Sequence, residues 1–312
     1  MSLSRRALIQ SAIAAGAFAA IPASTTQQAS AVLTGPAYRA FKTTSIWNQP
    51  LPVNAPIDVD SARFIADAKA HSDSYLKLTL GSFAMPTYFA TVNDPLRTVT
   101  DSHGRVVTLH IPDAAAPMDS NDAEFTVFDK SMNVCVGFHH AQRDAAGKIT
   151  TEGLDRWHLD SNGLHGKLPQ SDDNYNLGHR GSPAPLRQIR LDEVRSGLIA
   201  HKLAAYWWAT AEKGYFPMYG YESGKGGVVP EGMQLRVKRS VDLAMRFTPG
   251  SGPYVIAKAF QDYGLYVGDN SGSGSRVKVE RSSAWANLNV DANCLSKLLW
   301  DDYEFIQRGF GA

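Results

Sequence analysis

The sequence predicts a mainly β fold, a β-sandwich or jelly roll with a few short helices. Three observations predict it. Short runs of alternating or β-rich residues recur along the chain. Clusters of Gly, Asn, Asp and Ser punctuate them. Helical periodicity is confined to brief segments. The chain has 312 residues, 44% of them apolar, which is ample for a packed core. With 31 Lys and Arg against 30 Asp and Glu, the net charge is +1 and gives no electrostatic case for binding nucleic acid. Two cysteines exclude a disulfide-dense scaffold and a Cys-rich zinc site.

Residues 1–31 read as an export signal. Ser4-Arg5-Arg6 supplies a basic start, a largely apolar stretch runs from Ala7 to Pro22, and Ala29-Ser30-Ala31 is a small-residue cleavage site. The order Ser-Arg-Arg-Ala-Leu-Ile resembles the twin-arginine export motif, which a receptor reads. The uninterrupted apolar part, Ala12 to Ile21, is shorter than the ~20 residues a bilayer needs, so no membrane insertion is expected after signal removal. Residues 32–312 are expected to form one jelly-roll domain that works in the periplasm or outside the cell. Pairing of Cys135 with Cys294 and two buried free thiols are both open readings.

Residues 45–52 (SIWNQPLP) should be extended, because each proline pushes its predecessor out of the helical region. Residues 58–71 should be helical, with Ala62, Ile65, Ala66 and Ala70 near period 3.6 and Asp58 or Asp60 placed to cap. Strands are expected at 75–80, 85–92, 105–111, 124–129 and 133–138, with hairpin-type turns at 101–104 and 144–147. Residues 155–185 are rich in Gly, Asn, Asp and Ser and have no period; a loop of that length in a compact domain is usually functional. Residues 191–194 read as one helical turn broken at Gly197, followed by a strand within 198–208. Further strands are expected at 233–238, 263–268 and 276–280, with a short helix at 257–263.

Four stretches carry a resemblance. They are Arg190-Leu191-Asp192-Glu193-Val194-Arg195-Ser196-Gly197-Leu198-Ile199-Ala200-His201-Lys202-Leu203, then Val229-Pro230-Glu231-Gly232-Met233-Gln234-Leu235-Arg236, then the run from Ala259 to Asn270, and the early Trp47-Asn48-Gln49-Pro50. Together they resemble a family of secreted bacterial jelly-roll proteins often found with polysaccharide-degrading gene products. The resemblance implies a jelly roll in a carbohydrate setting. That family usually has Asp before the motif histidine; this chain has Ala200, so a carboxylate partner for His201 would not come from that neighbour.

Candidate chemistry follows from residue types. His201 lies between Ile199 and Leu203 and near Tyr206, Trp207 and Trp208, a setting for a histidine base or for a hydrogen-bonded core histidine. Asp269-Asn270 ends an alternating run at a Ser/Gly loop, where binding sites sit and where Asx turns also form. Tyr215, Phe216, Tyr219 and Tyr221 lead into Glu222-Ser223-Gly224-Lys225, an aromatic and polar loop suited to sugars. Five histidines (His139, His140, His158, His165 and His179) invite a metal reading, but no H-E-x-x-H or H-x-H spacing occurs, and no metal or cofactor is expected. His140, Arg143 and Arg180 are the types that β-elimination from a uronate uses. Glu222 with Asp269 is the favoured carboxylate pair for glycoside hydrolysis. The expectation is therefore a secreted enzyme acting on a polysaccharide or oligosaccharide, hydrolase ahead of lyase, with a non-catalytic carbohydrate-binding protein as the third reading. His201, Asp269 and Glu222 are the acid/base candidates. Tyr219, Tyr221 and Trp208 are expected to stack on sugar, and Asn270 and Lys225 to bond its hydroxyls.

Overall fold

The computed structural model describes residues 38–312; the export signal expected over 1–31 lies outside them. The mainly β class is what the described residues show. A large sheet runs in the order Lys77–Thr79, Arg276–Val279, Leu203–Trp207, Leu265–Asn270, Gln234–Val237, Tyr303–Phe305, with Gln188–Ile189 also paired to Arg276–Val279. A small sheet runs Thr87–Ala90, Phe125–Asp129, Val134–His139, Gly153–His158. Four pairings of long reach are parallel: Lys77–Thr79 and Gln188–Ile189 each with Arg276–Val279, Leu203–Trp207 with Leu265–Asn270, and Thr87–Ala90 with Phe125–Asp129. A jelly roll is built from antiparallel Greek keys, so this pairing does not establish one.

Period-2 alternation sets the layers. Leu203, Ala205 and Trp207 join a core with Phe64, Phe260, Trp300 and Phe305, on the side that carries the helices. Ala204, Tyr206 and Tyr266 face the other way and meet Phe128, Cys135 and Trp157 of the small sheet. The far side of the small sheet packs Val127, Val136 and Phe138 against Val99, Val107 and Leu109 of the hairpin Leu96–Thr100 with Val106–His110. Cys135 and Cys294 are both free thiols, the first buried between the sheets and the second at the edge of the helix-side core.

Helices form where the sequence places them, with shifted ends. One spans Ser61–His71, with Asp60 at its start but making no side-chain cap. The Asp58 carboxylate accepts instead from the Asp60 N–H and from Arg308. The second long helix, Gly252–Asp262, starts five residues before the periodic stretch, because Ser251 caps the Tyr254 N–H and Pro253 sits in the first turn. Leu191–Ser196 ends at Gly197, which takes the left-handed conformation (φ 78°) that closes a helix.

The segment around Trp47 is built into the middle core. Its indole N–H donates to Gly163 O at 2.8 Å, and its ring lies 4.7 Å from that of Tyr266. Lys202 Nζ donates to Ile46 O and Gln49 O, and the Asn48 amide to Ala40 O and Lys42 O. Trp47→Ala should therefore lower unfolding stability by ~3–5 kcal/mol. Urea denaturation of the two proteins checks this; a change under ~1 kcal/mol would show that the segment is only loosely attached.

Candidate functional site

A cleft of ≈ 760 Å³ opens between the two sheets. Tyr206, Arg187 and Asp155 lie at its base. His179, Arg180, Asp269 and Glu222 line it, and so do Glu124, His139 and Lys278.

Backbone irregularity aims His179, Arg180 and Asp269. In the parallel ladder Ala205 faces Val267 but Tyr206 faces Asp269, so Gly268 is an extra residue in the strand. Such a bulge re-aims the side chains beyond it. Gly268 is tightly placed: a Cβ there would lie 2.8 Å from the Tyr266 ring and 2.9 Å from Ser182 Oγ. Asp269 and Asn270 then both reach the cleft, which strict alternation would forbid.

The second irregularity is the run Gly178-His179-Arg180-Gly181, in which all four residues have positive φ (111°, 37°, 54° and 103°). The glycines adopt this readily, whereas each non-glycine residue held there costs ~1–3 kcal/mol. A Cβ on Gly178 would lie 2.3 Å from Asp155 Cβ, so the run can form only where glycine lets the chains touch. The Arg180 carbonyl is held in turn by the N–H groups of Tyr219 and Gly220.

Arg180 organises the carboxylates. Its Nε donates to Glu231 Oε2 at 3.0 Å, its Nη2 donates to Asp269 Oδ1, and Nη2 lies 3.9 Å from Glu222 Oε2. Glu222, Glu231 and Asp269 offer oxygens within 4.8 Å of one another. That could suit a cation, but the guanidinium already bonds two of the three and lies beside the other. Among the described residues Arg180 Nη1 donates to no acceptor, which leaves a donor for a ligand. Glu222 also meets Lys225 Nζ at 3.1 Å and accepts from the Asn270 amide at 2.7 Å.

These contacts set charge states. Burial pushes the Glu231 carboxyl up to about 7, in spite of Arg180. Burial alone would raise Asp269 as well, but His179 and Arg180 outweigh it and hold the group well below the usual carboxylate range. Burial lowers the His179 imidazole below its ordinary value, and the Asp269 charge only partly restores it. With His179 neutral, the permanent charge of Arg180 is what keeps Asp269 ionised. His179 Nε2 lies 3.0 Å from Asp269 Oδ2, with the N–H off line so that no hydrogen bond is completed. A carboxylate at Nε2 favours the proton there and leaves the Nδ1 lone pair as the basic atom.

Of the residues singled out by sequence, the structure brings Asp269, Asn270, Glu222, Lys225 and Arg180 to the cleft. It does not bring His201. That ring is 1% exposed, with Nε2 2.6 Å from Glu193 Oε1 and Nδ1 2.8 Å from Lys202 O, which is the core-histidine alternative. The carboxylate missing at Ala200 is thus supplied by Glu193, from the preceding helix. Trp208 donates to Asp67 and stacks on His71 at 4.0 Å, away from the cleft. Tyr219 stacks on His165 at 4.5 Å, with Lys167 5.2 Å from its ring centre. Tyr221 is 45% exposed but does not line the cleft. His140 pairs with Glu152, and Arg143 with Asp113 and backbone carbonyls. Sequence reasoning missed Glu231 and the base-like setting of His179. The available signal was the Gly-His-Arg-Gly tetrapeptide in an aperiodic loop.

Comparison with family models, curated proteins and solved structures finds no match for this chain.

Glu231 predicts a pH effect. Its native carboxyl, at about 7, holds a proton that the unfolded chain gives up near its ordinary value of 4.5. The resulting stability is whole below about 4.5 and is lost as pH rises through about 7. Glu231→Gln cannot ionise. Its melting temperature relative to the wild type should therefore climb between about pH 5 and about pH 8, and parallel melting curves for the two proteins would contradict the assignment.

Proposed function

We propose that the cleft is the active site of an enzyme that cleaves a uronate-containing polysaccharide by β-elimination. One observation carries this reading: an imidazole lowered below its usual value, His179, lies 3.0 Å from the ionised Asp269 and next in sequence to Arg180, in an open cleft. Elimination requires a neutral base for the C5 proton and a cation to neutralise the uronate carboxylate. His179 supplies the base through Nδ1. Asp269, 3.0 Å from Nε2, stabilises the imidazolium that forms. Arg180 Nη1 supplies the donor for the carboxylate, and Asn270 and Lys225 lie beside it for hydroxyls. Strain in the 178–181 run holds the base and the cation in one geometry.

Hydrolysis is the second reading, and a specific observation favours it. Glu222 and Asp269 present oxygens within 4.8 Å, close to the ~5 Å carboxyl separation of retaining glycosidases. It ranks second because Asp269 is bonded to Arg180, Glu222 is engaged by Lys225 and Asn270, and Glu231, with its carboxyl at about 7, does not line the cleft. In either reading the export signal expected over 1–31 sends the activity outside the cytoplasm.

The test is a panel of uronate-containing and neutral polysaccharides incubated with the purified protein. Reducing ends and unsaturated-uronate absorbance are followed together. Both signals should rise on uronate polymers, and His179→Gln should lower the rate ~10²–10⁴-fold. Reducing ends alone would transfer the assignment to Glu222 and Asp269, and silence on every polymer would remove the enzymatic reading.

A further inference from the structure

The cleft has a second titratable group that the base does not use. Strand Val134–His139 alternates so that Cys135, Gly137 and His139 face the large sheet. His139 is the last residue of that strand and lines the cleft with a half-exposed ring. Glu124 Oε1 lies 3.8 Å from its Nδ1. Glu124 is itself buried and pinned by Lys278 Nζ, whose ammonium sits 4.6 Å from the Tyr206 ring centre. His140 lies just past the strand end, with φ 48°, and its ring stacks on His139 at 4.0 Å rather than turning to the opposite face.

Resting on the elimination reading, we propose that His139, which lines the same cleft as His179, is the general acid that protonates the departing sugar oxygen. The step balances. His179 takes the C5 proton, the C5–H electron pair becomes the C4–C5 double bond, and the C4–O bond breaks. The leaving oxygen takes a proton from the His139 imidazolium. Both imidazoles then exchange with water, and no oxidant or further reactant is needed.

The surroundings of His139 favour the protonated form. Glu124 raises it and Asp122 adds to this, while burial and the charge of Arg187 oppose. His140 stacks on it but is engaged with Glu152, and Lys278 is engaged with Glu124. The two histidines are therefore displaced in opposite directions within one cleft, as an acid and a base of one reaction require. Arg187 at the base of the cleft acts on both rings.

The experiment compares two uronides that differ in the group leaving from C4: an ordinary sugar alcohol, which needs a proton, and a nitrophenoxide, which does not. His139→Gln and His139→Asn are assayed beside the wild type, with thermal melts to confirm folding; a half-exposed ring at a strand end tolerates both changes. The inference expects a ~10²-fold or greater loss on the sugar leaving group, a loss under ~3-fold on nitrophenoxide, and removal of the alkaline limb of the kcat/KM profile. Equal losses on both substrates, or no loss, would overturn the role of His139 while leaving the elimination reading intact. A wild-type protein that cleaves neither uronide would overturn both.

Discussion

The buried ion pair between Arg187 and Asp155 is the constraint on which the rest of the site depends. Arg187 Nη2 donates to Asp155 Oδ1 at 2.7 Å, and both side chains are almost fully out of water. Desolvating two charges costs several kcal/mol per ion, and the cost is offset only when both partners stay together with their other bonds made. Asp155 also accepts from the Trp157 indole N–H at 2.6 Å, whereas Arg187 Nε is buried without a partner, so the pair rests on its one direct bond. The pair ties the small-sheet strand Gly153–His158 to the segment that enters the large sheet at Gln188–Ile189, so it fixes one sheet against the other. It also dictates glycine at two positions. A Cβ on Gly137 would lie 2.0 Å from Arg187 Nη2, and one on Gly178 would strike Asp155. Gly178 in turn opens the left-handed run that presents His179 and Arg180. The position of the proposed base follows from a charge pair it does not touch.

Around that anchor, the cleft sorts ionisable groups by how each meets its partner. Arg180 cannot lose its charge, so the carboxylate it bonds most directly, Asp269, stays ionised in a buried setting. Glu231 is also bonded to Arg180 but lies deeper, with no exposed side-chain surface, and burial wins: its carboxyl sits at about 7. His179 is close to a carboxylate and still falls below its ordinary value, because burial and nearby Arg187 and Arg180 oppose the added proton. His139, half-exposed beside Glu124, moves the other way. Similar side chains thus receive different protonation states from local dielectric and from the permanence of the neighbouring charge.

The sequence by itself determined the local elements. Alternation and β-rich runs placed most strands of the two sheets, but not Gly153–His158, which opens the stretch expected to be an aperiodic loop, nor Gln188–Ile189 or Tyr303–Phe305, which are too short to show a period. Glycine placed the stop at Gly197, because it frees φ on its own; the run 45–52, expected to be extended from its prolines, instead forms a 3-10 turn over Ile46–Asn48 capped by the Ser45 side chain and is extended only from Gln49. Asp269 and Glu222 were legible as candidates because a carboxylate at a strand end or in a Gly-rich loop is marked by its immediate neighbours. The long aperiodic loop stood out as a candidate by its composition, although its four left-handed residues did not.

Only the tertiary structure decided what those residues meet. His201 sits in a strong local motif, yet its function as a core ligand of Glu193 depends on how the Leu191–Ser196 helix folds back on it. Parallel pairing of Leu203–Trp207 with Leu265–Asn270 brings together residues about 60 apart, and the bulge at Gly268 exists only in that pairing. Arg180 meets Glu231 and Asp269 across 51 and 89 residues, and Lys278 meets Glu124 across 154. Charge states depend on burial and on such long-range partners, and neither is written in the spacing of neighbours along the chain.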